Sequence, residues 1–510
     1  MTAFVPTHRW LGTYGLPGAL GASFVTLGSL GVGWFPLAYK ALRWPFLEYL
    51  QTQTLGLALS RSLVVVGAAI LLQAWLIVGV DTLHDKLLNE REMFAILITW
   101  MLPLMFAAPL FSRDVYSYFM QGQLQIQGHN PYESGVAVVE GWFNSGVDPM
   151  WAESKTPYGP IFLLIEKFIA AISGQSTFLS TFIFRSVGAC AVLVLARAVS
   201  ALARRHGIDP ASAMWLGVLN PLVLMHFVAG SHNDSLMVGL IAVAFVCAID
   251  SRFYLAIAAA SCAVAIKPVA LVVLPFIAIQ ATAHSSRRKR YVSFLSVAVL
   301  FASGMLLLSL LAHVEPLGWL SALSTPGTVR SLLSPTTAIG IALGTLFSQL
   351  GIGDQVSHAI SLVRSIGLIT LVVTVIYLVV RPQGRSATRG AAYALGAIIV
   401  CGPVVQPWYL LWTIPLLAAT GLSLVQLRLI VITVCAFTVH GIANASATAD
   451  TFLEFSDGLA MLLAAATLAV VVFASPRQRA LIMGDDDAKP LLPASVDQHV
   501  AATKQLVSTY

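Results

Sequence analysis

The chain has 510 residues, 57% of them hydrophobic and only 10% charged, with a mean hydropathy of +0.82. No soluble domain of this length carries such a balance, so the expected class is an all-α polytopic membrane protein. The formal charge of +6 and the pI near 9.1 then record membrane topology rather than an acidic partner, and no nucleic-acid partner is expected. Five cysteines (Cys190, Cys247, Cys262, Cys401 and Cys435) sit inside apolar segments without C-x-x-C spacing, which points to neither a disulfide framework nor a metal site.

A bilayer crossing takes about 20 apolar residues. In chain order, candidates lie near 15–37, 61–80, 94–111, 178–203, 211–230, 234–250, 291–312, 357–380, 390–405, 428–442 and 457–474. Shorter runs near 159–173, 253–266, 268–283, 335–350 and 408–420 suit re-entrant or broken helices around a cavity. The expected total is about 11–13 transmembrane helices plus short interfacial or re-entrant ones. Three regions follow: N-terminal helices and a cytoplasmic loop at 1–93, a membrane module at 94–475 with a long loop at 112–158, and a disordered tail at 476–510. Basic clusters at 204–207, 285–290, 381–389 and 475–479 mark one side. With that side cytoplasmic, both termini are cytoplasmic and the protein is a multi-pass component of the cell (plasma) membrane. The same assignment gathers the unusual polar groups on the extracytoplasmic face.

The stretch 112–132, SRDVYSYFMQGQLQIQGHNPY, breaks the apolar pattern. As a helix it sets Asp114, Tyr118, Gln121 and Gln125 on one face and Val115, Phe119, Gly122 and Ile126 on another, which suits a helix lying on the bilayer. Asp114 is then either a catalytic carboxylate at the membrane boundary or an ordinary helix-start residue. Arg113 either pairs with a phosphate or snorkels to headgroups. Tyr132 and Tyr158, in the loop and its TPYGP continuation, are candidate sugar contacts, although tyrosines also populate any membrane interface.

Ser231-His232-Asn233-Asp234 forms a tight polar turn between apolar runs. His and Asp at membrane depth are costly, so His232, Asn233 and Asp234 are candidate ligand contacts, with helix capping as the plainer role for one of them. Lys267, inside AVAIKPVALVVLP, needs an anionic partner or a water-filled cavity. A lipid phosphate meets that need, and Arg185 and Arg330 are weaker candidates for the same role. Gln406 and Trp408 open QPWYLLW, which reads as an aromatic belt or as a groove wall for a polyprenyl chain, and His440 is placed to assist a departing phosphate. No Walker A, G-x-G-x-x-G or H-E-x-x-H pattern occurs, and no fixed-period repeat is evident.

Taken together, RDVYSY, GHNPY, TPYGP, LGVLNPL, HNDSLMVGL, IKP and QPWYLLW resemble the polyprenyl-phosphomannose-dependent α-(1→6)-mannopyranosyltransferases of the MptA/MptB type, in the GT-C glycosyltransferase superfamily. The resemblance runs from about 94 to 475. It implies an inverting transfer of mannose from polyprenyl-phosphate-mannose to a mannan or glycolipid acceptor in lipomannan and lipoarabinomannan core synthesis, with Asp114 as general base. Tyr116, His232 and Lys267 fall in matching motifs. No cofactor is implied, and a divalent metal is not obligatory for a monophosphate donor. A transporter or flippase of a lipid-linked sugar is the competing expectation, but it should show repeats and midplane ionisable groups.

Overall fold

The computed structural model describes residues 10–443 apart from 38, 84–86, 283–285 and 329, together with Gln478. The expected span at 457–474 and the expected tail at 476–510, Gln478 apart, lie outside the described residues. Among the described residues every element is helical. Of these helices, among the described residues, six are long and apolar enough to cross a bilayer: Leu11–Val32, Thr54–Leu83, Thr177–Arg205, Tyr291–Leu311, Val356–Val380 and Leu424–Gly441. A seventh span results if Val223–Ala229 and Asp234–Ile249, bent by 111° across their break, are counted as one.

Several other expected spans occur as shorter apolar helices, and the reason is local. The run at 94–111 becomes Glu90–Leu104, started by a capping box in which the Asn89 side chain accepts from Arg91 and Glu92 N–H groups. The run at 211–230 divides at Asn220-Pro221 into Pro210–Gly217 and a π-helical turn, Val223–Ala229. Phe253–Ile266, Pro268–Ala281 and Ala387–Cys401 are the remaining short apolar helices.

The N-terminal helices are built into the body of the protein. Leu16–Val32 packs closely on Thr54–Leu83, where a Cβ at Gly67 would stand 2.6 Å from the Gly21 carbonyl. Such small-residue contact replaces the hydrophobic effect that lipid cannot supply. Thr54–Leu83 is tied to Pro210–Gly217 by a reciprocal pair: each indole of Trp75 and Trp215 donates to the other's carbonyl (3.1 and 2.8 Å), and the rings stack at 5.2 Å. Tyr291–Leu311 and Val356–Val380 are instead only 22% and 11% buried over their apolar windows, so their side chains mostly face outward.

Thr177–Arg205 relates the two ends of the molecule. At its C-terminal end Arg205 makes a bidentate pair with Asp250 (2.7 and 2.6 Å), and Arg204 pairs with Glu90. Arg185, on the same helix, lies about 30 Å away along the helix axis at 1.5 Å per residue. The polar site described next gathers near Arg185, away from that basic end.

Candidate functional site

The site is built on a broken helix. The π-helical Val223–Ala229 ends at Gly230, and Ser231 takes a left-handed conformation with φ 56°. A non-glycine residue held there costs of order 1–3 kcal/mol, so the surrounding packing must enforce the turn. The His232 N–H returns to the His226 carbonyl at 3.1 Å, after which Asp234–Ile249 starts in a new direction. Asn233 stands at the N-cap position, but its side chain makes no capping bond.

Asp234 is fully buried and carries three charge-assisted contacts. Lys267 Nζ donates to both oxygens (2.8 and 2.9 Å), and Trp412 Nε1 donates to Oδ1 at 2.5 Å. Lys267 lies in extended backbone between Phe253–Ile266 and the 3₁₀ segment Pro268–Val273, where proline forbids continuation of the helix. Its ammonium also lies 5.2 Å from the Tyr409 ring centroid and 5.5 Å from that of Trp412. The TPYGP segment seals this corner: the Gly159 N–H donates to the Ile266 carbonyl at 3.1 Å, and a Cβ at Gly159 would stand 2.6 Å from the Ala265 carbonyl. The anionic partner that the sequence requires for Lys267 is therefore protein-borne here.

Asp114 opens the helix Asp114–Ile126, its own N–H donating to Ser112 Oγ at 3.0 Å. Its side chain is 18% exposed, and Oδ2 lies 3.3 Å from His232 Nδ1, without the alignment of a good hydrogen bond. Burial raises its carboxyl pKa, but His232, Lys267 and Ser112 together outweigh burial and hold it below the usual carboxylate value. His232 in turn stacks on Trp408 at 3.7 Å and 21°. Trp408 is thus buried beneath a site histidine rather than set in an aromatic belt, and Trp412 is buried with it.

Around this carboxylate is an unusual concentration of buried polar atoms without a hydrogen-bond partner among the described residues: Ser231 Oγ, both nitrogens of His226, Nε2 of His232 and both ends of the Asn233 amide. All four residues are less than 5% exposed. Burying such groups unpaired costs about 1–3 kcal/mol each, so the arrangement is explained by a hydroxyl-rich ligand or water that pairs with them. Among the described residues no cluster of three or more His, Cys, Asp or Glu could hold a metal ion.

Asp114, His232, Asn233, Asp234, Lys267 and Trp408 therefore come together. The other candidates do not join them directly. Arg113 stacks over Trp34 with Asp148 at 3.9 Å, and burial lowers its pKa to about 10. Tyr116 donates to the Trp34 carbonyl at 2.7 Å, and the Tyr132 hydroxyl to the Tyr158 carbonyl at 3.1 Å. Tyr158 packs edge-on against Tyr118 and Phe162. Gln406 precedes the 3₁₀ turn Pro407–Trp412 without capping it. His440 lies in the last turn of Leu424–Ala443 next to Gly441, where a Cβ would come 3.7 Å from His226 Nε2. His226 and the hydrogen bond of Trp412 to Asp234 were not anticipated. The i, i+4 pair of Trp408 and Trp412 is the trace of the latter in sequence.

Fold and site together define a polytopic helical membrane protein with a carboxylate-centred polar site at a helix break. Residues 15–283 match the family model described as alpha-(1->6)-mannopyranosyltransferase, N-terminal domain, and residues 336–478 match an MptB C-terminal domain. The chain is 32% identical to a probable alpha-(1->6)-mannopyranosyltransferase of Mycolicibacterium smegmatis, covering 89% of this chain and 87% of that one. It is 32% identical to alpha-(1->6)-mannopyranosyltransferase A of Mycobacterium tuberculosis (80% and 79% covered) and 29% identical to alpha-(1->6)-mannopyranosyltransferase B of Corynebacterium glutamicum (79% and 72%). The chain belongs to the α-(1→6)-mannopyranosyltransferase family, and with it to the glycosyltransferase enzymes.

Proposed function

We propose that this protein is an inverting α-(1→6)-mannosyltransferase that uses polyprenyl-phosphate-mannose as donor and a mannan or mannosylated glycolipid as acceptor, in lipomannan and lipoarabinomannan core synthesis. It works in the plasma membrane with both termini cytoplasmic and the site on the extracytoplasmic face. The observation that carries this reading is a partly exposed Asp114, its carboxyl held below the usual pKa by His232, Lys267 and Ser112, beside buried hydroxyl-seeking groups without a partner among the described residues.

Asp114 takes the proton of the acceptor 6-hydroxyl, and that oxygen attacks C1 of the β-mannosyl phosphate. The bond from C1 to the phosphate oxygen breaks, its electron pair leaves with polyprenyl phosphate, and the new linkage is α. The buried Asp234–Lys267 pair acts as a fixed electrostatic support: Lys267 helps keep Asp114 ionised, and one of its three N–H groups remains beyond those given to Asp234. Ser231, His226 and Asn233 bind sugar hydroxyls. A monophosphate donor carries less charge than a nucleotide sugar, and the reaction is proposed to need no resident divalent metal.

Membranes containing the protein should transfer labelled mannose from polyprenyl-phosphomannose to a short α-(1→6)-mannoside. Asp114→Asn should slow transfer by about a hundred- to ten-thousand-fold at normal protein abundance. Full activity of that variant would remove Asp114 as the base. Varying the acceptor length in the same assay separates initiation of the mannan from its extension.

A further inference from the structure

Beside the first turn of the Asp114 helix is a cavity of about 370 Å³ enclosed by the N-terminal segment, the 105–109 loop and the start of Thr177–Arg205. Its walls are aromatic, with Tyr39, Phe106, Phe178 and Phe182 among them; Tyr39 stacks with Phe178 at 6.3 Å, and Phe106 lies 6.2 Å from Phe182. Phe106 and Phe178 are 65% and 62% exposed at the outer surface of a membrane protein, so the groove opens toward lipid. Tyr116 and Arg185 also line it.

Arg185 is 3% exposed, and its guanidinium donates to three carbonyls: Nε to Val228 (3.2 Å), Nη1 to Met105 (3.1 Å) and Nη2 to Ala229 (2.9 Å). Those carbonyls orient the guanidinium but do not neutralise it, and among the described residues no carboxylate forms an ion pair with it. Two of its five N–H groups remain. A buried cation without a counter-ion is costly, and the other cations near the site already have carboxylates, Lys267 with Asp234 and Arg113, more loosely, with Asp148.

We infer that this groove holds a polyprenyl monophosphate, with its proximal isoprene units along Phe178 and Phe182 and its phosphate countered by Arg185. The assignment rests on the donor proposed above and says where that donor's lipid end sits. Charge and shape agree: an apolar, lipid-open channel runs to a lone cation, which fits an apolar chain with one anionic end. The carbonyls of Val228 and Ala229 that hold Arg185 lead directly into Ser231 and His232, so groove and site share one wall. A single displacement also needs the base and the leaving phosphate on opposite sides of the anomeric carbon, so a cation serving the phosphate stands apart from Asp114. The groove therefore replaces the Gln406–Trp408 segment as the seat of the chain, since Trp408 is buried under His232.

The test uses the full-length protein in nanodiscs and a polyprenyl phosphate bearing a diazirine on its second isoprene unit. Irradiation should label peptides containing 105–109 or 177–182. Excess unlabelled polyprenyl phosphate should cut labelling at least tenfold, and equal phosphatidylglycerol should leave it unchanged. Thr181→Trp, which fills the channel, should reduce labelling about tenfold and raise the donor KM similarly while the melting temperature holds. If that variant does not fold, the competition arm on the native protein decides. Labelling elsewhere, or competition by phosphatidylglycerol, overturns the groove assignment. Groove labelling without mannose transfer supports the groove and sinks the donor reading; transfer with labelling elsewhere does the reverse.

Discussion

The Asp234–Lys267 pair offers the sharpest energetic test. Asp234 is fully buried, and its carboxylate receives the ammonium through both oxygens plus the Trp412 indole. Asp234→Asn keeps the shape but removes the countercharge, leaving an ammonium whose side chain is only 14% exposed. Stranding one member of a buried pair costs about 3–5 kcal/mol, whereas replacing both members costs much less. Lys267→Met strands the carboxylate instead, with Trp412 still donating to it, so its cost should fall toward the lower end of the same range. Asp234→Asn/Lys267→Met should lose clearly less than the two single variants summed, giving a coupling energy of about 2–3 kcal/mol. Unfolding of the four proteins in mixed micelles measures the cycle. Additive losses would show that the pair is solvated in the folded protein and would remove the argument that it supports the site electrostatically.

Other outcomes follow from the same geometry. Asp114 has a folded pKa below its unfolded value of about 3.9, so its contribution to stability is complete above that value and is lost as pH falls through the folded one. The base is therefore ionised throughout the neutral range, and a pH–rate profile should show no acid limb from Asp114 between about pH 5 and 8; an acid limb near pH 6 that Asp114→Asn abolishes would contradict this. Trp408→Leu should lower kcat about tenfold by freeing the His232 ring, with Trp408→Phe largely restoring it, because stacking of this kind is worth about 0.5–1.5 kcal/mol. Gly159→Ala should cost about 1–3 kcal/mol in unfolding measurements, since the clashing atoms are all backbone of Ala265, close in sequence to Lys267. Treatment with a chelator should leave mannose transfer unchanged; loss of activity restored by a divalent cation would refute the metal-free mechanism.

Composition alone determined that this is a helical membrane protein, because a chain this apolar has no soluble alternative. Hydropathy located the long spans, the cost of ionisable groups at membrane depth singled out His232, Asp234 and Lys267, and the polar interruption at 112–132 singled out Asp114. Those inferences hold because burial in lipid penalises each residue individually, without reference to its neighbours. Which groups meet was a different matter. Lys267 and Asp234 are 33 positions apart, and Trp412 is a further 178 from Asp234; nothing in the local sequence pairs them. Spacing left Trp408 open between an aromatic belt and a groove wall, and the fold turns its ring under His232. The bend of 111° at Gly230–Asn233 and the left-handed Ser231 decide which face the polar turn presents. The N-terminal segment, which motif comparison left outside the module, supplies Trp34 beneath Arg113 and one wall of the Arg185 groove. Asp114 itself was legible as a carboxylate at a helix start. Its ionised state, set by a histidine and a lysine from two distant helix breaks against the pull of burial, is a property only of the assembled tertiary structure.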